Sequence, residues 1–106
     1  MNGDVPLGVW EEQVLLAVVR CAAAAYGMAV RRELEAATDR EVAIGAVYAT
    51  LDRAEAKGWV TSSRADVEGQ SRRVFALLPR GARALAGTRA LRERLWHGVN
   101  LQPLLA

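Results

Sequence analysis

The chain is poor in the residues that build metal centres, disulfides and catalytic sites. Among its 106 residues are one cysteine, one histidine and one lysine, with three Trp, two Tyr and one Phe. A single Cys21 cannot form an internal disulfide, which fits a reducing compartment, and it sits among apolar neighbours as an expected core residue. One Cys and one His are too few soft ligands for a zinc or iron–sulfur site. They fall on different expected helices, and the chain has no phosphate-cradling glycine loop and no paired carboxylates on a cleft. An enzyme is therefore not expected, nor a metal or other cofactor. No apolar run is long enough to span a bilayer; Val14–Val19 falls far short of the roughly 20 residues needed. No secretory signal, internal repeat or low-complexity linker is visible. A single cytoplasmic domain with no membrane association is the expectation.

What is abundant is alanine, at 20 positions, and arginine, at 13. With 52% apolar and 25% charged residues, the chain has a globular balance that favours helix over sheet. Its net charge of +2 hides an asymmetry. Residues 1–60 carry six Lys/Arg against nine Asp/Glu, whereas residues 61–106 carry eight Arg against three acids. A basic second half suits a polyanionic partner, and the acidic first half argues against indiscriminate binding.

Periodicity gives the order of elements. A first helix is expected over about Leu7–Ala25, with an unusually broad stripe: Trp10, Val14, Ala17, Val18 and Cys21, widened by Leu15, Leu16 and Val19. Such a helix needs covering on two sides, by its own core and by a partner chain. A second helix spans Met28–Thr38, with Val30, Leu34 and Ala37 inward and Arg31 and Glu35 able to pair at i,i+4. A third runs from Ala43 to Lys57 and stops at Gly58. It turns Ile44, Val47, Leu51 and Ala54 inward and Gly45, Ala49, Asp52, Arg53 and Ala56 outward. Trp59–Ser63 and Arg73–Leu77 read as strands around a polar turn, Asp66–Arg72. Pro79 opens a last helix striped by Leu85, Leu91, Leu95 and Val99, and Pro103 is expected to let the tail fray.

Three helices, a hairpin and a final helix make a mainly α protein: a winged helix-turn-helix with a two-stranded wing and a C-terminal dimerisation helix. Residues 1–79 would form the DNA-binding domain and 80–106 the dimerisation helix and tail. The third helix suits a major groove, and Arg72 and Arg73 suit the phosphates beside it. A winged-helix protein-interaction module without an operator is the alternative.

The residues also resemble a known family. Leu7-Gly8, Glu12–Val18 and Ala25-Tyr26-Gly27 look like the opening of the phenolic-acid-decarboxylase regulator (PadR) family. The likeness continues through Val30–Leu34, is strongest over Ile44–Arg53, and closes with Glu55–Gly58 and Leu78–Leu85. It covers roughly residues 7–86, and the short C-terminal part is similar to the compact branch with one C-terminal helix. The resemblance implies a bacterial transcriptional regulator, usually a repressor, that binds a palindromic operator as a homodimer.

Carried over by position, Tyr48 matches the recognition-helix tyrosine expected at the DNA backbone. Ala49 could touch a thymine methyl and Arg53 a phosphate or base edge, with Thr50 a lesser candidate. Arg72 and Arg73 match the basic end of the family's wing, with Gln70 and Ser71 beside them. Gly45, Ala46 and Ala49 offer few hydrogen bonds to bases, so operator choice should lean on dimer spacing and DNA shape. The chain departs from the family pattern in Val74-Phe75, where paired aromatics are usual, in Leu78, where a capping Thr is common, and in the acidic wing residues Asp66 and Glu68. Trp10, Val14, Leu91, Leu95, Trp96 and Val99 are the candidate dimer interface. In some members planar aromatic effectors stack between subunits, and Trp96, with Trp10 as a second wall, would take that role or serve as interface packing. Trp59 is expected in the core and His97 at the surface.

Overall fold

The computed structural model describes residues 5–105. Helix α1 (Val9–Cys21) starts where Gly8 is extended and its amide donates to the Glu11 carboxylate (3.1 Å), a side-chain acceptor for one of the helix's free donors. It ends four residues before the expected Ala25. Ala22 turns to φ 51°, and Ala22–Ala24 form one 3₁₀ turn. An alanine run favours helix locally, but here a contact distant in sequence wins. Ala25 accepts the Phe75 amide (2.9 Å), and Tyr26 forms a bridge with Val74. Tyr26 thus acts as a one-residue third strand beside the hairpin.

Helix α2 (Gly27–Thr38) buries Val30 and Leu34, while Ala37, expected inward, is exposed because nothing packs over the last member of that stripe. Asp39, at φ 54°, turns the chain toward helix α3 (Ile44–Ala56). There Val47, Leu51 and Ala54 are buried with Ile44 half-covered, as their spacing requires. Gly58, at φ 76°, takes the left-handed conformation that lets the chain leave α3 for the hairpin.

Strands β1 (Val60–Val67) and β2 (Gln70–Leu77) pair antiparallel over eight residues each, from Val60 opposite Leu77 to Val67 opposite Gln70. The expected seven-residue turn is therefore corrected to two residues. Glu68 and Gly69 both have positive φ (54° and 79°), the turn whose twist matches a hairpin. The hairpin is longer than composition suggested, and Asp66 and Gln70–Arg72 lie in strands. By the alternation of a pleated strand, Val60, Ser62, Arg64 and Asp66 share a face with Leu77, Phe75, Arg73 and Ser71.

Helix α4 (Pro79–Trp96) lacks a side-chain cap at Leu78, but its start is anchored otherwise. The Leu78 amide donates to the Trp59 carbonyl (2.8 Å), and buried Gly81 lies so close beneath that carbonyl that a methyl group would overlap it. Farther along, the Leu7 amide donates to the Thr88 hydroxyl (3.0 Å), and Arg92 pairs with Glu12 on α1. Val99 does not continue the α4 stripe, because His97 ends the helix and Gly98 takes φ 78°. The tail is also corrected: Gln102–Leu105 form a short helix, α5, whose Gln102 amide donates to the Asn100 side chain (3.0 Å). Pro103 falls in the first turn of α5, where its missing N–H is harmless. No described helix is long and apolar enough to cross a membrane. The core lies where α1, α2 and α3 meet β2, with Phe75, Leu15, Leu51, Val14, Val30 and Val47 fully enclosed.

Candidate nucleic-acid interface

Helix α3 turns a shallow face of small side chains outward. Gly45, Ala46, Ala49, Asp52 and Arg53 are exposed along it, and Tyr48 stands at its margin. The Tyr48 ring lies directly over Gly27 at the start of α2, a position a methyl group would fill. That packing leaves 38% of Tyr48 exposed, so the ring is held in place yet open to solvent. Thr50, expected among the DNA contacts, is corrected: it is buried, and its hydroxyl accepts the Trp10 indole N–H (2.7 Å). The Arg53 guanidinium donates to the same oxygen (3.1 Å), which lays the arginine along the helix with further donors free.

Two adjacent arginines on β2 have different surroundings. Arg73 turns toward α3 and is engaged there. It pairs with Asp52 (3.1 Å) and Glu55 (2.7 Å), donates to the Ser62 hydroxyl (3.2 Å), and sits 4.6 Å from the Phe75 ring centre. Glu55 also accepts the Ser62 amide (3.1 Å) and hydroxyl (2.8 Å). The Ser62 hydroxyl and then the Arg73 guanidinium hold the Glu55 carboxyl below its ordinary pKa. Burial works against the Arg73 charge, but its bonds to Glu55 and Asp52 outweigh that and raise its pKa. Arg73, expected at a phosphate, is thus committed to bracing the wing against α3. Arg72 faces the other side of the hairpin, with its guanidinium carbon 4.4 Å from the Tyr26 ring centre.

Sequence reasoning overlooked Arg64. It lies opposite Arg73 on the wing face that meets α3, is exposed, and has no carboxylate partner among the described residues. Reading Glu68-Gly69 as a two-residue turn would have paired the two arginines and found it. Gln70 and Ser71 are exposed near the tip, as are Asp66 and Glu68. The arrangement can place a small-residue helix in a groove, with guanidinium groups (Arg53 beside it, Arg64 and Arg72 on the wing) able to meet oxyanions.

Comparison with known proteins decides the family. The profile of the Transcriptional regulator PadR-like family matches residues 15–87. The chain belongs to that family. Among solved structures, the complex of RosR-S4 from H. salinarum is similar at 26% identity and TM-score 0.71, covering 89% of this chain and 77% of that one. A PadR family transcriptional regulator from Eggerthella lenta is 23% identical, with TM-score 0.64 over 87% of this chain and 80% of that one. Apo MarR from E. coli, at 22% identity and TM-score 0.60 over 93% and 71%, shares the fold. A comparison with curated proteins by sequence finds no match. The winged-helix fold is thus that of a DNA-binding transcriptional regulator.

In this PadR-like regulator the expected interface residues fall into three groups. Val14 is corrected: it is wholly buried in its own core and offers nothing to a partner. Trp10 is half-buried, bonded to Thr50 and packed on the core, so it joins α1 to α3. Leu91 is half-buried in a groove with Pro6, Leu7 and Val9. Leu95, Trp96 and Val99 are exposed, as are Val9, Leu16 and Val19 on α1 and Leu101, Leu104 and Leu105 at the tail.

Proposed function

We propose that this PadR-like regulator is a dimeric repressor that lays α3 in the major groove of a palindromic operator and sets its wing on the adjoining backbone. The observation that carries the reading is the wing brace. Arg73 fixes the hairpin to α3 through Asp52 and Glu55, and Ser62 adds two bonds to Glu55, presenting one surface on which Arg53 and Arg64 have no carboxylate partner among the described residues. Preorganised cations beside a helix of small residues suit a polyanion of fixed shape. Tyr48 and Ala49 would meet the backbone and a base edge, with Gln70, Ser71 and Arg72 toward the wing tip. Arg64 would add a cation to these contacts, and the acidic Asp66 and Glu68 would weaken them near the tip.

The dimer would be made by residues 80–106 with the outer face of α1. Support comes from the contiguity in sequence of exposed Leu95, Trp96, Val99, Leu101, Leu104 and Leu105, more apolar surface than a monomer ordinarily leaves in water. Trp96, 54% exposed, offers a stacking face for a planar aromatic effector between subunits, which would change the separation of the two α3 helices. A DNA regulator of this kind acts in the cytoplasm. The test is fluorescence anisotropy with the gene's own upstream duplex and a scrambled one, from about 50 to about 300 mM salt. Binding on the order of 10³-fold tighter to the native duplex supports the reading. Equal, weak binding to both, followed by no enrichment from random duplexes, would favour a protein-interaction module.

A further inference from the structure

We propose that Arg32, Tyr26 and Arg72 form a phosphate clamp, distinct from the α3 face, that takes one phosphate or phosphodiester group. The DNA arm of this proposal rests on the function proposed above; its phosphate arm does not.

Tyr26 is buried at the start of α2, and two guanidinium groups converge on its ring. The guanidinium carbon of Arg72 lies 4.4 Å from the ring centre and that of Arg32 lies 5.6 Å away. Like charges gathered on one ring repel, and the ring quadrupole offsets only part of that repulsion. Neither arginine has a carboxylate partner among the described residues; the adjacent acid, Glu33, is taken by Arg20.

The hydrogen-bonding inventory points the same way. Arg32 donates to the Tyr26 hydroxyl (2.7 Å), which leaves the phenol's own proton free to donate. The Arg72 Nε–H is buried and has no acceptor, the sole buried side-chain polar atom so placed among the described residues. A buried donor without a partner is costly. Because Nε itself is closed to solvent, the donors an anion could meet are the Arg72 terminal amines, which are not among the buried unpartnered atoms, the Arg32 guanidinium and the Tyr26 hydroxyl. The complement they lack is an anion with several acceptor oxygens. Phosphate matches the guanidinium fork better than a simple halide does.

The position is useful for DNA. Tyr26 precedes Gly27, on which the Tyr48 ring of α3 rests, and it bridges to Val74 on the wing. A duplex seated on α3 and the wing would bring its backbone toward this corner. Arg32 and Tyr26 lie outside the recognition helix and the hairpin, so they would add affinity without reading bases.

The test uses the full-length chain with Arg32→Gln and Tyr26→Phe; Arg32 is exposed and Phe retains the ring, so both should fold. Arg83→Gln on α4 serves as a control. DNA binding is measured against salt, and the Arg72 Nε–H resonance is followed by ¹⁵N NMR while inorganic phosphate is added. If the clamp holds DNA backbone, Arg32→Gln weakens binding about tenfold at low salt. It also makes the log–log salt slope shallower by about 0.9. The preference for native over scrambled duplex stays as it was, and Arg83→Gln changes nothing. If the clamp takes free phosphate instead, inorganic phosphate shifts the Nε–H signal saturably in the wild type, the response is lost in both variants, and the slope is unchanged. An unchanged slope together with no saturable phosphate response overturns the clamp. A wild type that binds no duplex yet saturates with phosphate retains the clamp and rejects the DNA reading.

Discussion

Replacing Glu55 with alanine separates a wing arginine that braces from one that binds DNA. Glu55 accepts one bond from Arg73 and two from Ser62, so Glu55→Ala removes three hydrogen bonds between α3 and the hairpin. Bonds to a charged group are worth about 1.5–3 kcal/mol when buried. Here both partners are just over a third exposed (35% and 37%), and Arg73 keeps Asp52, so solvent screening reduces the expected loss to about 1–2 kcal/mol. Each kcal/mol lowers the melting temperature of a domain this size by roughly 4–8 °C. Thermal denaturation should be run at fixed protein concentration, since association would shift it. DNA binding distinguishes the two roles. If Arg73 braces the wing, Glu55→Ala loosens the hairpin, weakens operator binding, and adds no phosphate contact to the salt slope. If Arg73 is a phosphate ligand restrained by acids, removing Glu55 frees a cation and a negative charge disappears from the interface. Tighter binding with a steeper salt slope would refute the brace.

The same carboxylate predicts a pH response. Its folded pKa lies below the unfolded value near 4.3–4.5, so its contribution is complete above that value and lost as pH falls through the folded one; Glu55→Gln should flatten that part of the acid denaturation curve. Gly27→Ala should cost little stability, because the Tyr48 ring it displaces can swing into solvent, but it should alter tyrosine fluorescence and weaken DNA binding. Gly81→Ala, pressed against the Trp59 backbone, should destabilise by about 1–3 kcal/mol in calorimetry. By contrast Gly87→Ala, with open space around it, should stabilise by up to about 1 kcal/mol.

The third helix was readable from sequence because its inward and outward residues alternate at a clean helical period and Gly58 marks its end. The hairpin was readable as a pair of strands, but not its length. Glu68 in a left-handed conformation gives no compositional signal, and without the turn the register is lost. Register in turn decides that Arg73 faces Asp52 and Glu55 while Arg64, beside it, has no carboxylate partner among the described residues. Thr50 illustrates a different limit: its angular position on α3 is ambiguous, and Trp10, forty residues away, supplies the partner that settles it. Ala22–Ala25 reads as helix by propensity and is broken by β2, which takes Ala25 and Tyr26 as an edge. Val14 shows a third limit: a helix apolar on most of its surface does not say which part faces its own core.

If a dimer reads DNA through α3, with the braced wing on the backbone, the duplexes it selects share its two-fold symmetry. Selection from random duplexes, followed by sequencing of the bound pool, tests it most directly. The prediction is enrichment of an inverted repeat whose half-sites lie about one helical turn apart, with modest base preference under α3, and loss of that enrichment in Arg53→Ala. A bound pool with no inverted repeat, or one unchanged by Arg53→Ala and Arg64→Ala together, would contradict it.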